Sequence, residues 1–351
     1  MKAAVLTKWK HFEICNLDVP QAGTGEVLLK VGLAGICGSD VHIYNGDNPI
    51  AKTPVIPGHE FMGEIVAMGD DVSDLKIGQR VVVQPLVFCG DCPPCNSGVP
   101  HVCESLTVIG VNRNGGFADY VNVPKDCIFP ISDDLSDAAA TLAEPFSIAV
   151  HSLKRGGLLS TDRVLVIGAG PIGFYSALMA RKMGAKSVMI SEPVATRRAF
   201  VEEFGISVCN PMDDDSVEQL KLLSDGNGYD LIIETSGNAA GIDFATKAAA
   251  IRGRIVTLGF PAKNYAQYNF TSGIIKELTI IGSRVCTRAE FAETLELICS
   301  MNQEGEVNFS KLVAVTRSLE DLDRSILDVA EGVECAKILI HLNAGDNAKT
   351  S

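Results

Sequence analysis

Four cysteines, Cys89, Cys92, Cys95 and Cys103, follow a Cys-x2-Cys-x2-Cys-x7-Cys spacing. That spacing is enough to close a tetrahedral thiolate shell around one zinc, and a closed shell holds structure rather than substrate. Pro93 and Pro94 stiffen the loop between the ligands, and Gly90 and Gly98 allow its reversals. A second group lies outside this lobe: Cys37 in Gly-Ile-Cys-Gly-Ser-Asp-Val-His, and His59 and Glu60 in Pro-Gly-His-Glu. Glu144, in Ala-Glu-Pro-Phe, is a further acid in an apolar stretch. One Cys, one His and one carboxylate would hold a second zinc with a position open for water or an alcohol, the arrangement of a catalytic site. Whether Glu60 or Glu144 is the direct ligand stays open. Taken singly, each residue also has an ordinary reading, a satisfied structural histidine or a helix-start glutamate.

Gly168-Ala169-Gly170-Pro171-Ile172-Gly173 follows the apolar run Val164–Ile167 and opens a helical segment. The first glycine permits a tight turn, the second a close approach of backbone to a pyrophosphate, and the third close helix–strand packing. The phosphate charge then sits at a helix N-terminus. Glu192, at the end of the next strand candidate, is an acid placed to accept bonds from ribose hydroxyls and to repel a 2′-phosphate. This favours NAD over NADP. The alternative is that Arg197 or Arg198 recruits a 2′-phosphate.

These groups need elements to position them. The first ~150 residues read as strand-rich, with short apolar runs such as Val27–Val31, Gly63–Ala67 and Arg80–Val83 broken by Gly and Pro. From Arg163 to Ser283 the texture changes. The runs Val164–Ile167, Ser187–Ser191, Leu231–Glu234, Arg254–Leu258 and Thr279–Ile281 alternate with helical candidates Ile172–Met183, Ala195–Phe204 and Ala239–Ala250. Such alternation implies a parallel sheet covered on both faces. Two amphipathic helices, about Arg288–Met301 and Leu319–Ala330, precede an apolar strand Ala336–His341 and a polar tail Asn343–Ser351. The expected fold is α/β: a β-rich domain over 1–150 with its zinc lobe at about 86–106, an inserted doubly wound cofactor domain over 151–285, and a return of 286–351 to the first domain.

With 46% hydrophobic and 21% charged residues, the 351-residue chain is expected to be globular rather than disordered. A net charge of −13 argues against a nucleic-acid partner, which needs clustered Lys and Arg. Met1–Pro20 lacks a signal-peptide core, and the longest uncharged run, Val164–Ala180, falls short of the ~20 apolar residues of a membrane helix. Eleven cysteines therefore point to a reducing cytoplasm with metal-bound thiolates. Cys15, Cys127, Cys209, Cys286, Cys299 and Cys335 are expected to be small buried hydrophobes.

The Gly-His-Glu, Cys-Gly-Ser-Asp-x-His, four-cysteine and Gly-x-Gly-x-x-Gly motifs occur here in the order found in zinc-dependent medium-chain dehydrogenases, which the chain resembles over nearly its whole length. It is most similar to the sorbitol and threonine dehydrogenase branch and to bacterial sugar-acid, galactonate 5-dehydrogenase-like members. Val108–Val111, Gly115-Gly116-Phe117, Glu144-Pro145-Phe146 and Ile281–Arg284 carry that closer similarity. The resemblance implies a GroES-like catalytic domain with an inserted Rossmann domain, two zinc ions and NAD(H). It implies Cys37 and His59 as catalytic zinc ligands, with Glu60 the ligand of sorbitol-type members and Glu144 standing where other members have a cysteine. Ser39 matches the hydroxyl of a proton relay and His42 its solvent end. The stretch Leu258-Gly259-Phe260 and Ser283 match the nicotinamide side, and Arg284 a substrate-contacting arginine. One departure is that Ile43 follows the relay histidine where an aromatic is usual, with Tyr44 one place later.

The expected chemistry is oxidation of a secondary alcohol on a sugar acid or polyol, because a planar guanidinium at Arg284 suits a carboxylate. Zinc would polarise the hydroxyl, Ser39 would pass on its proton, and the cofactor would take the hydride. Closure between the two domains would exclude water. Rival readings are a threonine- or butanediol-type dehydrogenase and a non-catalytic zinc- and NAD-binding sensor. The only expected partners are the small-molecule substrate and further copies of the chain, as a homodimer or homotetramer through edge strands such as Thr279–Ile281, with no membrane or nucleic acid.

Overall fold

The computed structural model describes residues 1–259, 268–332 and 335–342. Phe260 and the tail Asn343–Ser351 lie outside the described residues. The chain divides into two compact units, Met1–Glu144 with Thr287–Ser351, and Pro145–Cys286. The division falls inside the helix Ala143–Arg155, near the expected boundary at 150, which also lies within that helix.

In the first unit, a sheet runs in the order Val313–Ser318, Lys337–His341, Glu26–Gly35, Glu60–Met68, Arg80–Val83, Ile128–Pro130, with Tyr120–Pro124 also pairing Glu26–Gly35. The apolar run expected at Val27–Val31 extends to ten residues, long enough to pair with three neighbours. Val31, Phe61, Ile65 and Phe117 are fully buried in this core. The C-terminal strand Lys337–His341 is the chain's return to the first unit: Leu339 pairs with Gly35.

The second unit is a parallel sheet of six strands: β1 Arg163–Ile167, β2 Ser187–Ser191, β3 Ser207–Cys209, β4 Tyr229–Glu234, β5 Ala249–Thr257 and β6 Thr279–Gly282. Their order is β3-β2-β1-β4-β5-β6, the Rossmann doubly wound arrangement, with the strand order reversing between β1 and β4. Continuous burial of Val164, Leu165 and Val166 explains the unbroken apolar runs, since both faces are covered. Leu165, Ile232 and Ile255 from three adjacent strands share a core with Leu220 and Ala245 from helices. The short strand β3 escaped the sequence reading because three residues carry no period.

Helix boundaries shift by a turn or less. Leu319–Asp321 forms a separate 3-10 turn before the helix Leu322–Glu331. Cys127, Cys209 and Cys286 are buried as expected, whereas Cys15, Cys299 and Cys335 are half-buried. No helix among the described residues is long and apolar enough to cross a membrane.

Candidate active site and cofactor cradle

Antiparallel register brings the first metal group together. Gly35 pairs with Glu60, so Cys37, two residues past the end of one strand, and His59, one residue before the start of its neighbour, meet at the same end of the sheet. Lys337 opens the strand on the other side and reaches the same place, where its Nζ donates to Ile36 O at 3.0 Å. Cys37 also caps the helix Gly38–Asn45, and Asp40 in its first turn accepts from the Cys37 N–H at 2.9 Å. Gly58 has φ 94° and lies against Phe117, so the turn presenting His59 requires a residue without Cβ.

Ligand atoms of Cys37, His59 and Glu60 all lie within 4.8 Å of one another. The two nitrogens of His59 face different groups: Nδ1 is 3.4 Å from Asp40 Oδ1, and Nε2 is 3.4 Å from Ser39 Oγ. A buried carboxylate behind one ring nitrogen orients the imidazole so that the other can bind a metal. Burial opposes charge on His59, but the Asp40 carboxylate at 3.4 Å, with Cys37, outweighs it and raises its pKa well above the ordinary value. Glu60 is fully buried, and both of its oxygens accept from Lys337 Nζ at 2.6 Å. Glu144 is buried too, and its pKa is pushed up to about 7, chiefly by burial. His59 and Lys337 pull that value down while Glu60 and Asp40 push it up, so Glu144 shares the field of this group. The donor set of thiol, imidazole and carboxylate, packed this closely, fits zinc.

The second metal group fits as well. Sulfur separations are 3.9 Å for Cys89–Cys95, 3.4 Å for Cys92–Cys95, 3.8 Å for Cys92–Cys103 and 3.4 Å for Cys89–Cys103. A tetrahedral zinc with ordinary thiolate bonds sets sulfurs about 3.8 Å apart. Backbone N–H groups of Glu104 and Cys95 lower the Cys92 thiol to about 7, whereas a hydrogen bond to Asp91 raises Cys89 to about 12 and burial raises Cys95. The thiols thus share protons, and a metal would complete their deprotonation.

On the second unit, the glycine loop has the expected geometry. Gly168 has φ 98°, and its Cα faces Thr235 Oγ1. Gly170 opens onto free space, and Gly173 lies against the Gly168 carbonyl, where a side chain would collide. Pro171 and Ile172 begin the helix Pro171–Lys182. Glu192 is buried at the end of β2 and accepts from Ala169 N at 2.7 Å and Val194 N at 2.9 Å. A carboxylate has about four acceptor positions, so two remain for ribose hydroxyls. Arg198 is committed to the carbonyls of Glu192 and Pro193, and Arg197 is half-buried. Ser283 Oγ is buried without a hydrogen-bond partner among the described residues, and Arg284 is exposed. Leu258 and Gly259 donate their N–H groups to Glu234 O.

Tyr44 requires a correction. It is buried, stacked on Phe12 with ring centroids 5.4 Å apart, and hydrogen-bonded to Asp323, which with burial raises its pKa to about 12. The helix Gly38–Asn45 packs against Leu322–Glu331, and a buried ring of this kind gives no support to a substrate contact. Asp40 and Lys337 were missed by sequence reasoning. Asp40 carried a signal, an acid three residues after the N-cap Cys37; Lys337, a lone lysine opening an apolar strand, carried almost none.

Residues 23–133 match the model of the alcohol dehydrogenase GroES-like domain, and residues 171–300 that of the zinc-binding dehydrogenase domain. A 2-dehydro-3-deoxy-L-galactonate 5-dehydrogenase from Pseudoalteromonas atlantica is 34% identical over 93% of each chain. A zinc-binding dehydrogenase from Sinorhizobium meliloti, solved with NADP, superposes with TM-score 0.90 at 30% identity, covering 97% of this chain and 98% of that one. The Escherichia coli alcohol dehydrogenase rspB, complexed with NADH, gives TM-score 0.88 at 32% identity, covering 97% and 99%. The chain belongs to the zinc-dependent medium-chain dehydrogenase family. It is an oxidoreductase of that family, with two zinc-type sites and a nicotinamide dinucleotide fold.

Proposed function

We propose that the chain interconverts a secondary alcohol and a ketone on a sugar acid or polyol, with NAD(H) as hydride carrier. The observation that supports this most is the cluster of Cys37, His59 and Glu60 with Glu144 beside it, a site richer in carboxylate than thiolate. Zinc, when bound there, supplies Lewis acidity to the substrate hydroxyl. Cys37 and His59 would hold the ion, with Glu60 or Glu144 as a third donor, and Asp40 would fix the imidazole from behind. Ser39, half-buried beside His59, accepts the hydroxyl proton. His42, one turn on and exposed, releases it to solvent. A bound nicotinamide would supply the hydride acceptor that lets the carbinol become a ketone. Gly168, Gly170, Pro171, Ile172 and Gly173 would cradle the pyrophosphate, Glu192 would take the adenosine ribose and favour NAD, and Gly259 and Ser283 would border the nicotinamide. Arg284, exposed at the end of β6, is the group suited to a substrate carboxylate. Galactonate-type, sorbitol and threonine dehydrogenases are similar to the chain to nearly the same degree, so the preference for a sugar acid or polyol rests on the carboxylate-rich site and Arg284.

Turnover of a panel of aldonates, alditols, threonine and butanediol with NAD and NADP tests the assignment. Aldonates or alditols with NAD should be the preferred pair; threonine alone would overturn it.

We also propose self-association through β6. Ile274, Ile275 and Ile251 are 75%, 74% and 77% exposed near this edge strand, and exposed apolar side chains grouped in this way mark interaction surfaces.

A further inference from the structure

Glu234 ends β4 and is fully buried, yet no role in metal binding or proton transfer reaches it. Its Oε1 accepts from Ser236 N at 2.9 Å and from Ser236 Oγ, and its Oε2 from Gly237 N at 3.3 Å. Its main-chain carbonyl accepts from Leu258 N at 2.9 Å and Gly259 N at 3.3 Å, so the same residue ties the turn after β4 to the turn after β5. Packing here leaves no slack: a Cβ on Gly259 would fall on Gly237, and one on Gly241 would meet Ser236 Oγ and Glu234 Oε1. Next door, Thr235 N and Oγ1 bond Ile167 O, joining this turn to the glycine loop after β1. Burial raises the Glu234 pKa, opposed by its bonds to Ser236 and Gly237; the side chain is thus held by hydrogen bonds in place of a cation.

In a doubly wound sheet the ligand lies across the carboxyl ends of the strands at the reversal point, here between β1 and β4. Glu192 on β2 marks the adenosine side, which leaves the nicotinamide half over β4 and β5. We propose that Glu234 is a positioning residue that locks the Glu234–Asn238 and Leu258–Gly259 turns as one rigid floor under the nicotinamide half of the cofactor. Removing a side-chain acceptor beneath the Ser236 and Gly237 N–H groups leaves a donor unsatisfied and loosens the turn after β4. From the first residue of that turn the Leu258–Gly259 turn hangs by main-chain bonds.

This rests on the NAD(H) reading above, and its test separates the two. The zinc-loaded protein, Glu234→Gln and the milder Ser236→Ala, whose side chain is exposed, are titrated with NADH by nucleotide fluorescence and with ADP-ribose by calorimetry. In Glu234→Gln the NADH Kd should rise about tenfold, and about threefold in Ser236→Ala, while the ADP-ribose Kd moves by less than about twofold. Equal weakening of both ligands, as general loosening of the unit would cause, overturns the proposal. So does an unchanged NADH Kd in both variants. Failure of the unaltered protein to bind NADH would instead sink the cofactor reading itself and the proposal with it.

Discussion

Asp40 and Lys337 show how single residues acquire roles that their neighbours in sequence do not announce. Each is a charge placed beside a candidate metal ligand, one behind His59 and one across Glu60. Loss of a direct ligand, in Cys37→Ser or His59→Ala, should lower kcat/KM by about a thousandfold or more, with one zinc missing by elemental analysis. Near-normal turnover in a folded variant would refute the assignment. Asp40→Asn should act through His59 and reduce zinc affinity or activity by roughly 10–100-fold, read by chelator competition. Lys337→Met strands a buried carboxylate, and such truncation of a buried pair costs about 3 kcal/mol or more. Urea unfolding measures it; a change near zero would mean that Glu60 finds another partner.

Among elements, the lobe around Cys89–Cys103 has little apolar content of its own, and its short helix Pro93–Asn96 buries no residue. Its order therefore depends on metal. Cys92→Ser should remove one zinc and abolish hydrogen-exchange protection across residues 86–106, while β1 to β6 stay protected. Retained protection in the zinc-depleted lobe would contradict this. The glycine loop fails differently, because Gly173 touches the backbone of Gly168 and a methyl group there must push the helix from the strand.

Across the whole molecule, stability has an acid-sensitive component. Partial burial pushes the Asp230 carboxyl up, but the two-sided grip of Arg163 outweighs it and holds the value below the usual carboxylate range. A depressed folded-state pKa stabilises above the unfolded value of about 3.9 and is lost as pH falls through the folded one. Asp230→Asn should thus cost about 1 kcal/mol at neutral pH, a figure kept small because the pair is partly exposed, and nothing at acid pH. Equal costs at both would reject the assignment. Association belongs to this scale too: Ile274→Glu should shift the protein to monomer by light scattering, and an unchanged oligomer would exclude that surface.

Much of this was legible in the chain. The cysteine spacing, the glycine loop and the alternating apolar runs are local patterns, and local patterns follow from backbone geometry and ligand reach alone. Cys37 and His59 were legible only as separate motifs. Their meeting depends on the Gly35–Glu60 register, a pairing between strands that no short window contains. Tyr44 shows the converse: its neighbourhood suggested substrate, and burial against Phe12 and Asp323 assigned it to packing. Lys337 lies 277 residues from the glutamate it neutralises. Sequence determined which chemistries were present; tertiary structure decided which charges face one another, because burial and distance set their energies and neither is a property of a residue by itself.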